Sequence, residues 1–372
     1  MSGATATAAA RRAALGVGWL PLIASAAVGL LVPALPVWVR YAPLVASVVI
    51  FGLPHGAADL VALPRALYGR VTGHGLVIVG GLYLVLGGGF ALLWLVAPVP
   101  SAVLFLGLTW GHWGQGDVYV LRELFGATHL RMPGQQWLTA LVRGGLPMLL
   151  PLLAFPDRYR AVLTSFAAPF GGRIGAVPLF APSVRLGLGL GFAALTLLVL
   201  ARGWRLASQA GDTSGRPVGT RSPGEEAGDR RFDDRSRDAW RLDAAETGLL
   251  WAVFLSVPPV LAVGLYFTCW HSLRHVLRVL LLHEESAASL ARGQWGRPLG
   301  RFALETAAPT VAALALFLGL WVAVPYRPTA VPGLVGLYLV GIATLTLPHV
   351  VIVTILDRAD GLWGFPAPSE AA

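Results

Sequence analysis

Five of the eight histidines lie within or at the edge of apolar runs: His55 in FGLPHGAADL, His112 in LTWGHWGQGDVY, His271 and His275 in CWHSLRHVLR, and His349 in LTLPHVVIVTILD. An imidazole in apolar surroundings needs polar partners, so one would be a cost, whereas five point to a shared site. His271 and His275 are spaced i, i+4, which sets both rings on one helix face where they can grip a single ion. For an isolated pair, two rings facing the interior and bonding to neighbours is an equal alternative. Three further histidines at similar depth favour a metal. Nitrogen-rich ligation suits Fe, Zn, Cu or Ni, and the residues do not choose among them.

Asp59 follows His55 by four positions and Asp117 follows His112 by five. Each could accept a hydrogen bond from a ligating ring and fix its tautomer; the alternative is that each marks the polar end of a span beside Arg65 or Arg122. Trp110, Trp113 and Trp270 adjoin the histidines as pocket walls or as packing and interface residues. Arg274 and Arg278 flank the His pair, with Asp59, Asp117 and Glu305 as possible partners or an outward path to the interface. His283-Glu284 continues ESAA rather than completing HExxH, and no Walker A loop, GxSxG elbow or CxxCH is present. One HxxxH pair is too few for the histidine boxes of a di-iron membrane oxygenase.

The elements that must hold these residues are membrane helices. Of 372 residues 56% are hydrophobic and 13% charged, and the mean hydropathy is +0.68, more apolar surface than a water-soluble core hides. The runs are continuous, near the roughly 20 residues that cross a hydrocarbon core, and lack the period-2 alternation of a barrel. The expected fold is all-α, a polytopic transmembrane bundle of about eight to ten spans, near 13–38, 42–64, 75–97, 101–121, 136–155, 183–201, 246–268, 302–324 and 331–356. Residues 161–182 are apolar but broken by Pro and Gly, which suggests a re-entrant or interfacial piece. The run 246–282 is too long for one span and carries Pro258-Pro259, which predicts a kink or two packed segments.

Three regions follow: 1–201, apolar helices with the first two histidine motifs; 202–243, dense in Gly, Pro, Ser and both charge signs and read as a disordered polar loop; and 244–372, apolar helices with HxxxH and the last motif. The net charge of +9 resides largely in connections, where arginines set orientation, so no nucleic-acid partner is implied. Arg11, Arg12, Arg65, Arg70, Arg122, Arg131 and the long loop share one side when the N-terminus is cytoplasmic; Arg158, Arg160 and Arg173 argue the other way. The first apolar run resembles a signal peptide but is too long and lacks a cleavage site, so it reads as a retained span of a multi-pass cell-membrane protein. Cys269 is the single cysteine, which excludes an intramolecular disulfide framework.

GLPHGAAD, WGHWGQGD, WHSLRHVLR and LPHVVIVTILD, in that order over about 52–357, resemble the motifs of the Brp/Blh membrane β-carotene 15,15'-dioxygenases. The resemblance implies a non-haem Fe(2+) enzyme that splits the central double bond of β-carotene with O2 into two all-trans retinal, often for a microbial rhodopsin. It implies His55, His112, His271 and His275 as iron ligands and His349 as a residue near the site. A carotenoid dissolved in the lipid bilayer would reach such a site laterally. The competing class is a metal-ion or proton-coupled transporter, which inverted internal repeats would favour and none is found. A non-enzymatic scaffold with structural histidines is the third reading.

Overall fold

The computed structural model describes residues 2–31, 35–175, 177–209 and 223–363, and among these it is helical with no strand. In chain order the helices are α1 (Ser2–Leu31), α2 (Val37–Ala46), α3 (Gly52–Ala57), α4 (Asp59–Tyr68), α5 (Gly73–Leu82), α6 (Gly88–Val96), α7 (Pro98–Tyr119), α8 (Pro133–Ala154), α9 (Pro156–Ala167), α10 (Pro182–Gln209), α11 (Pro223–Ser256), α12 (Pro259–Leu265), α13 (Leu273–Leu281), α14 (Glu284–Ala291), α15 (Gly296–Ala323) and α16 (Val331–Ala359). Wider π-helical turns join α5 to α6 (Tyr83–Gly87), extend α7 (Val120–Leu124) and join α12 to α13 (Tyr266–Ser272).

Six of these units are long and apolar enough to cross a membrane: α1, α5–α6, α8, α10, α15 and α16. In α8 and α16, 72% and 50% of the most apolar stretch is buried; in the other four the share lies between 11% and 22%. The first two are therefore interior helices, and the rest turn apolar faces outward, as a lipid-exposed ring requires. Six units of the described residues meet that length and hydropathy, against the eight to ten spans expected. Residues 42–64 are not one helix: α2 stops at Ala46, a turn follows with Phe51 in the left-handed region at φ 58°, and α3 and α4 restart the chain. Gly52 is required there, because a Cβ on it would overlap the Ser47 carbonyl. The first span ends at Leu31, residues 32–34 lie outside the described residues, and Val37 begins a separate helix.

Residues 161–182 form the end of α9 and short 3-10 turns at Ala168–Phe170 and Pro178–Phe180, so they do not cross. The 246–282 run is divided as Pro258-Pro259 predicts: α11 ends at Ser256 and Pro259 opens α12, where its missing N–H leaves no helical bond unmade. The region expected as a disordered loop, 202–243, is helical at both ends: α10 continues to Gln209 and α11 begins at Pro223, with 210–222 outside the described residues. Composition misleads because several polar residues of α11 face inward and pack. Ser236, Ala239, Asp243, Glu246, Leu250 and Val253, three or four apart, form a buried stripe.

Packing at the centre is set by glycine. A Cβ on Gly114 of α7 would overlap the Ala140 carbonyl of α8, and one on Gly144 of α8 would overlap the Trp110 carbonyl of α7. The two helices therefore touch backbone to backbone, which brings the WGHWG motif against the most buried helix. α1 is part of the bundle: Ala6, Ala10, Ala14 and Leu22 are fully buried, and Arg11 Nε donates to the Leu124 carbonyl.

Candidate metal centre

His55 comes from α3, His112 from α7, His271 from the π-helical turn Tyr266–Ser272, His275 from α13 and His349 from α16. All five are buried, between 3% and 8% exposed. Their rings meet. The His55 centroid lies 5.4, 5.5 and 5.1 Å from those of His271, His275 and His349. His112 lies 4.8 Å from His271 and 4.7 Å from His349, and His275 lies 5.2 Å from His349. Helices distant in the chain thus converge on one point, and the extra residue of the π turn aims His271 into it.

The nitrogens divide into oriented and open. His55 Nδ1 faces the Gly52 and Phe51 carbonyls, the latter at 3.2 Å, and so acts as a donor. His349 Nδ1 donates to Asp59 Oδ2 at 2.8 Å, and Tyr83 O–H donates to the same oxygen at 2.8 Å. Both nitrogens of His112 and the Nε2 atoms of His271, His275 and His349 are buried without a hydrogen-bond partner. A buried ring nitrogen without a partner is costly, and a cation that accepts several of them at once removes the cost. One nitrogen each from His55, His112 and His349 lies within 4.8 Å of the others, so small ring rotations bring them inside the roughly 4.2 Å that two metal bonds of about 2.1 Å can span. The donor set therefore fits a nitrogen-bound metal. His349, expected only beside the centre, belongs to this trio, while His271 and His275 adjoin it.

The two carboxylates divide, one bonding a ring of the cluster and the other not. Asp59, fully buried, orients His349 of α16 rather than its neighbour His55, whose Nδ1 is already taken by backbone. Asp117 does not touch His112; its Oδ1 accepts from Trp270 Nε1 at 2.9 Å, and it lies 3.5 Å from both Arg143 and Arg274. Five positions along α7 turn it to another face. There it joins a buried lattice with Arg143, Asp243, Glu246 and Arg274, in which Glu246 binds both arginines. Arg274 also covers the Trp270 ring at 3.6 Å. This lattice supports the turn that carries His271 from behind.

A second clamp sits one or two turns from the rings. Arg278, three residues after His275, pairs with Asp357 at 2.5 Å and Asp360 at 2.7 Å; Gln115, three after His112, donates to Asp357 at 2.8 Å. Asp357 lies two turns beyond His349, so α7, α13 and α16 are locked in register close to the centre. Of the remaining histidines, His129 pairs with Asp243 at 3.1 Å and His283 caps α14 by accepting from Ser286 N. Arg65 pairs with Glu305, not with Asp59. The sequence reading missed Tyr83, Arg143, Asp243 and Glu246. A lone arginine within the apolar run QQWLTALVRGGLPMLL was the available signal for Arg143; nothing local marks Tyr83.

Two cavities border the cluster. One, of about 290 Å³, is lined by His55, His112, His271 and His349 with Phe105, Trp113 and Phe166, and also by Arg40 and Arg158. The other, of about 390 Å³, lies between α3, α5–α6, α15 and α16, and includes His55, His349, Tyr83, Gly88 and Ala313. Both are walled mainly by carbon, and Leu84 at the rim of the second is 77% exposed on the outward face.

A family described as "Beta-carotene 15,15'-dioxygenase" matches residues 46–357. The chain belongs to this family. "Probable beta-carotene 15,15'-dioxygenase Blh" of Halobacterium salinarum is 50% identical over 351 residues, 94% of each chain. "Probable beta-carotene 15,15'-dioxygenase Brp" of the same species is 30% identical over 347 residues, 90% of this chain and 88% of that protein. No solved structure matches. Membership decides for an enzyme of the carotenoid dioxygenase class over a transporter, and all five histidines lie within the matched residues.

Proposed function

We propose that the chain cleaves the central 15,15' double bond of β-carotene with O2 to give two molecules of all-trans retinal, at an Fe(2+) ion held in the histidine cluster. The observation that carries the reading is the position of five buried imidazoles, most with an open nitrogen, between two carbon-walled cavities in a helical membrane protein of this family. Atoms balance without a proton: one carbon–carbon double bond is exchanged for two carbonyl groups, and both atoms of one O2 are accounted for. No general acid or base is required.

His55, His112 and His349 would hold the ion, with His271 and His275 at the adjoining positions. Bound iron supplies the redox chemistry by which O2 reacts with a closed-shell polyene, which no side chain provides. The protein's part is to orient the ligating rings through Gly52, Phe51 and Asp59, to exclude water with Phe105, Trp113 and Phe267, and to seat a rigid hydrocarbon. The substrate dissolves in the lipid bilayer and enters from it laterally, so it is never extracted into water. Retinal leaves to the same phase, where a microbial rhodopsin is a fitting acceptor. We place the protein in the cell membrane with its N-terminus in the cytoplasm. The contact of Arg11 with the Leu124 carbonyl supports this, because it sets the basic start of α1 beside Arg122 and Arg131.

The test is product analysis with purified protein. Iron-loaded protein should bind about one iron per chain and convert β-carotene to retinal with O2, and not under argon. An iron-loaded, oxygenated sample that leaves β-carotene intact would overturn the reading.

A further inference from the structure

The two cavities meet at the histidines. His55, Phe267, Ile342, Thr346 and His349 line both, so the cluster forms the partition between them. The partition is built by a repeated tripeptide, Leu53-Pro54-His55 in α3 and Leu347-Pro348-His349 in α16. Pro54 falls in the first turn of α3, where its missing N–H costs no helical bond, whereas Pro348 lies inside α16 and frees a carbonyl one turn earlier. Gly87 approaches the carbonyl of Thr344, the one that Pro348 leaves free. The rings of the two motif histidines stand 5.1 Å apart, edge to face.

We propose that the cavities are two half-sites for one polyene, and that the one bounded by Gly88 and Ala313 takes a complete ring-bearing half while the Phe105–Trp113 cavity takes the other. This rests on the reading of the chain as a β-carotene-cleaving enzyme and goes beyond it by assigning what selects the bond. The double bond that lies against the partition is the one with equal lengths of polyene on its two sides. Cleavage at the centre then follows from the room on each side of His55 and His349, with no recognition of the bond itself. Arg40 and Arg158 are the charged side chains lining the first cavity, and the exposed Leu84 lines the second.

Gly88 gives a clean way to shorten one half-site. A Cβ placed on it meets nothing within 4 Å, and leucine forms helix more readily than glycine, so Gly88→Leu adds bulk at this wall of the cavity. Ala313→Phe narrows the same cavity from α15 and serves as the second variant. Two substrates are compared: β-carotene, and an apocarotenal with one intact ring-bearing half and a truncated opposite half. Each variant should keep about one iron per chain and lose at least tenfold more turnover on β-carotene than on the apocarotenal. Unchanged β-carotene turnover in both variants, or an equal loss on both substrates with iron retained, would overturn the half-site assignment. Unmodified protein that makes no retinal would overturn the underlying reading, and the assignment with it.

Discussion

The interior holds two groups of polar side chains at similar depth, and they are built on opposite terms. In the lattice of Asp117, Arg143, Asp243, Glu246 and Arg274, each charge faces an opposite charge, with Trp19, Trp270 and His129 as further partners. In the histidine cluster, four rings keep at least one nitrogen with no partner. Burial alone therefore does not mark function. The closed group is a scaffold whose removal would leave charges unpaired, and the open group is short of a ligand that it can only obtain from outside the chain. The same distinction separates Asp59 from Asp117, two carboxylates that look alike in sequence and serve the two different groups.

Substitutions can break that contrast, and the largest effect belongs to the open group. His112→Ala, whose ring has no other partner to lose, should abolish retinal formation, at least a hundredfold by product analysis, and lower iron content while the protein remains folded by circular dichroism. A metal-replete, active His112→Ala would place His112 outside the centre. Glu246→Ala should do the reverse. It leaves Arg143 and Arg274 without their shared carboxylate, so stability in a thermal-unfolding assay should fall by about 3–5 kcal/mol, whereas the fraction that stays folded should bind iron normally. An equal loss of iron from folded Glu246→Ala would merge the two groups into one.

Smaller changes sharpen the boundary. Asp59→Asn keeps an acceptor for His349 Nδ1 but removes its charge; iron affinity measured by competition with a chelator should weaken by about 10- to 100-fold, with little change in melting temperature. Equal affinity would show that Asp59 does not act through His349. Tyr83→Phe removes one hydrogen bond to the same carboxylate oxygen and should cost about 1 kcal/mol or less of stability. Its effect on iron affinity should be smaller than that of Asp59→Asn, and a larger one would make Tyr83 the principal orienting group.

Much of the centre was legible because its cues are local. The five histidines stand out as polar residues in apolar runs, the i, i+4 pair puts two of them on one side, and Pro258-Pro259 marks the break before the helix that carries them. The membrane class follows from hydropathy alone. Partner choice was not legible. Asp59 is four residues from His55 yet bonds His349, 290 residues away, because the His55 ring already has a nearer backbone acceptor. Asp117 stands five residues after His112, but the turn of α7 carries it to Trp270, Arg143 and Arg274, the last of these one of the partners expected for it.

What the sequence determined by itself is that this is a helical membrane protein with histidines in its interior and the motif order of the β-carotene dioxygenases. Hydropathy, helical period and proline chemistry act over a few residues and survive without neighbours. Only the tertiary structure decided that 42–64 breaks into short helices, that the charged stretch before Glu246 is a packed helix, that His349 shares a trio with His55 and His112, and that two cavities meet at that trio. Those outcomes depend on which faces meet across the bundle. Contacts between residues hundreds of positions apart are fixed by packing and charge pairing, which no local pattern encodes.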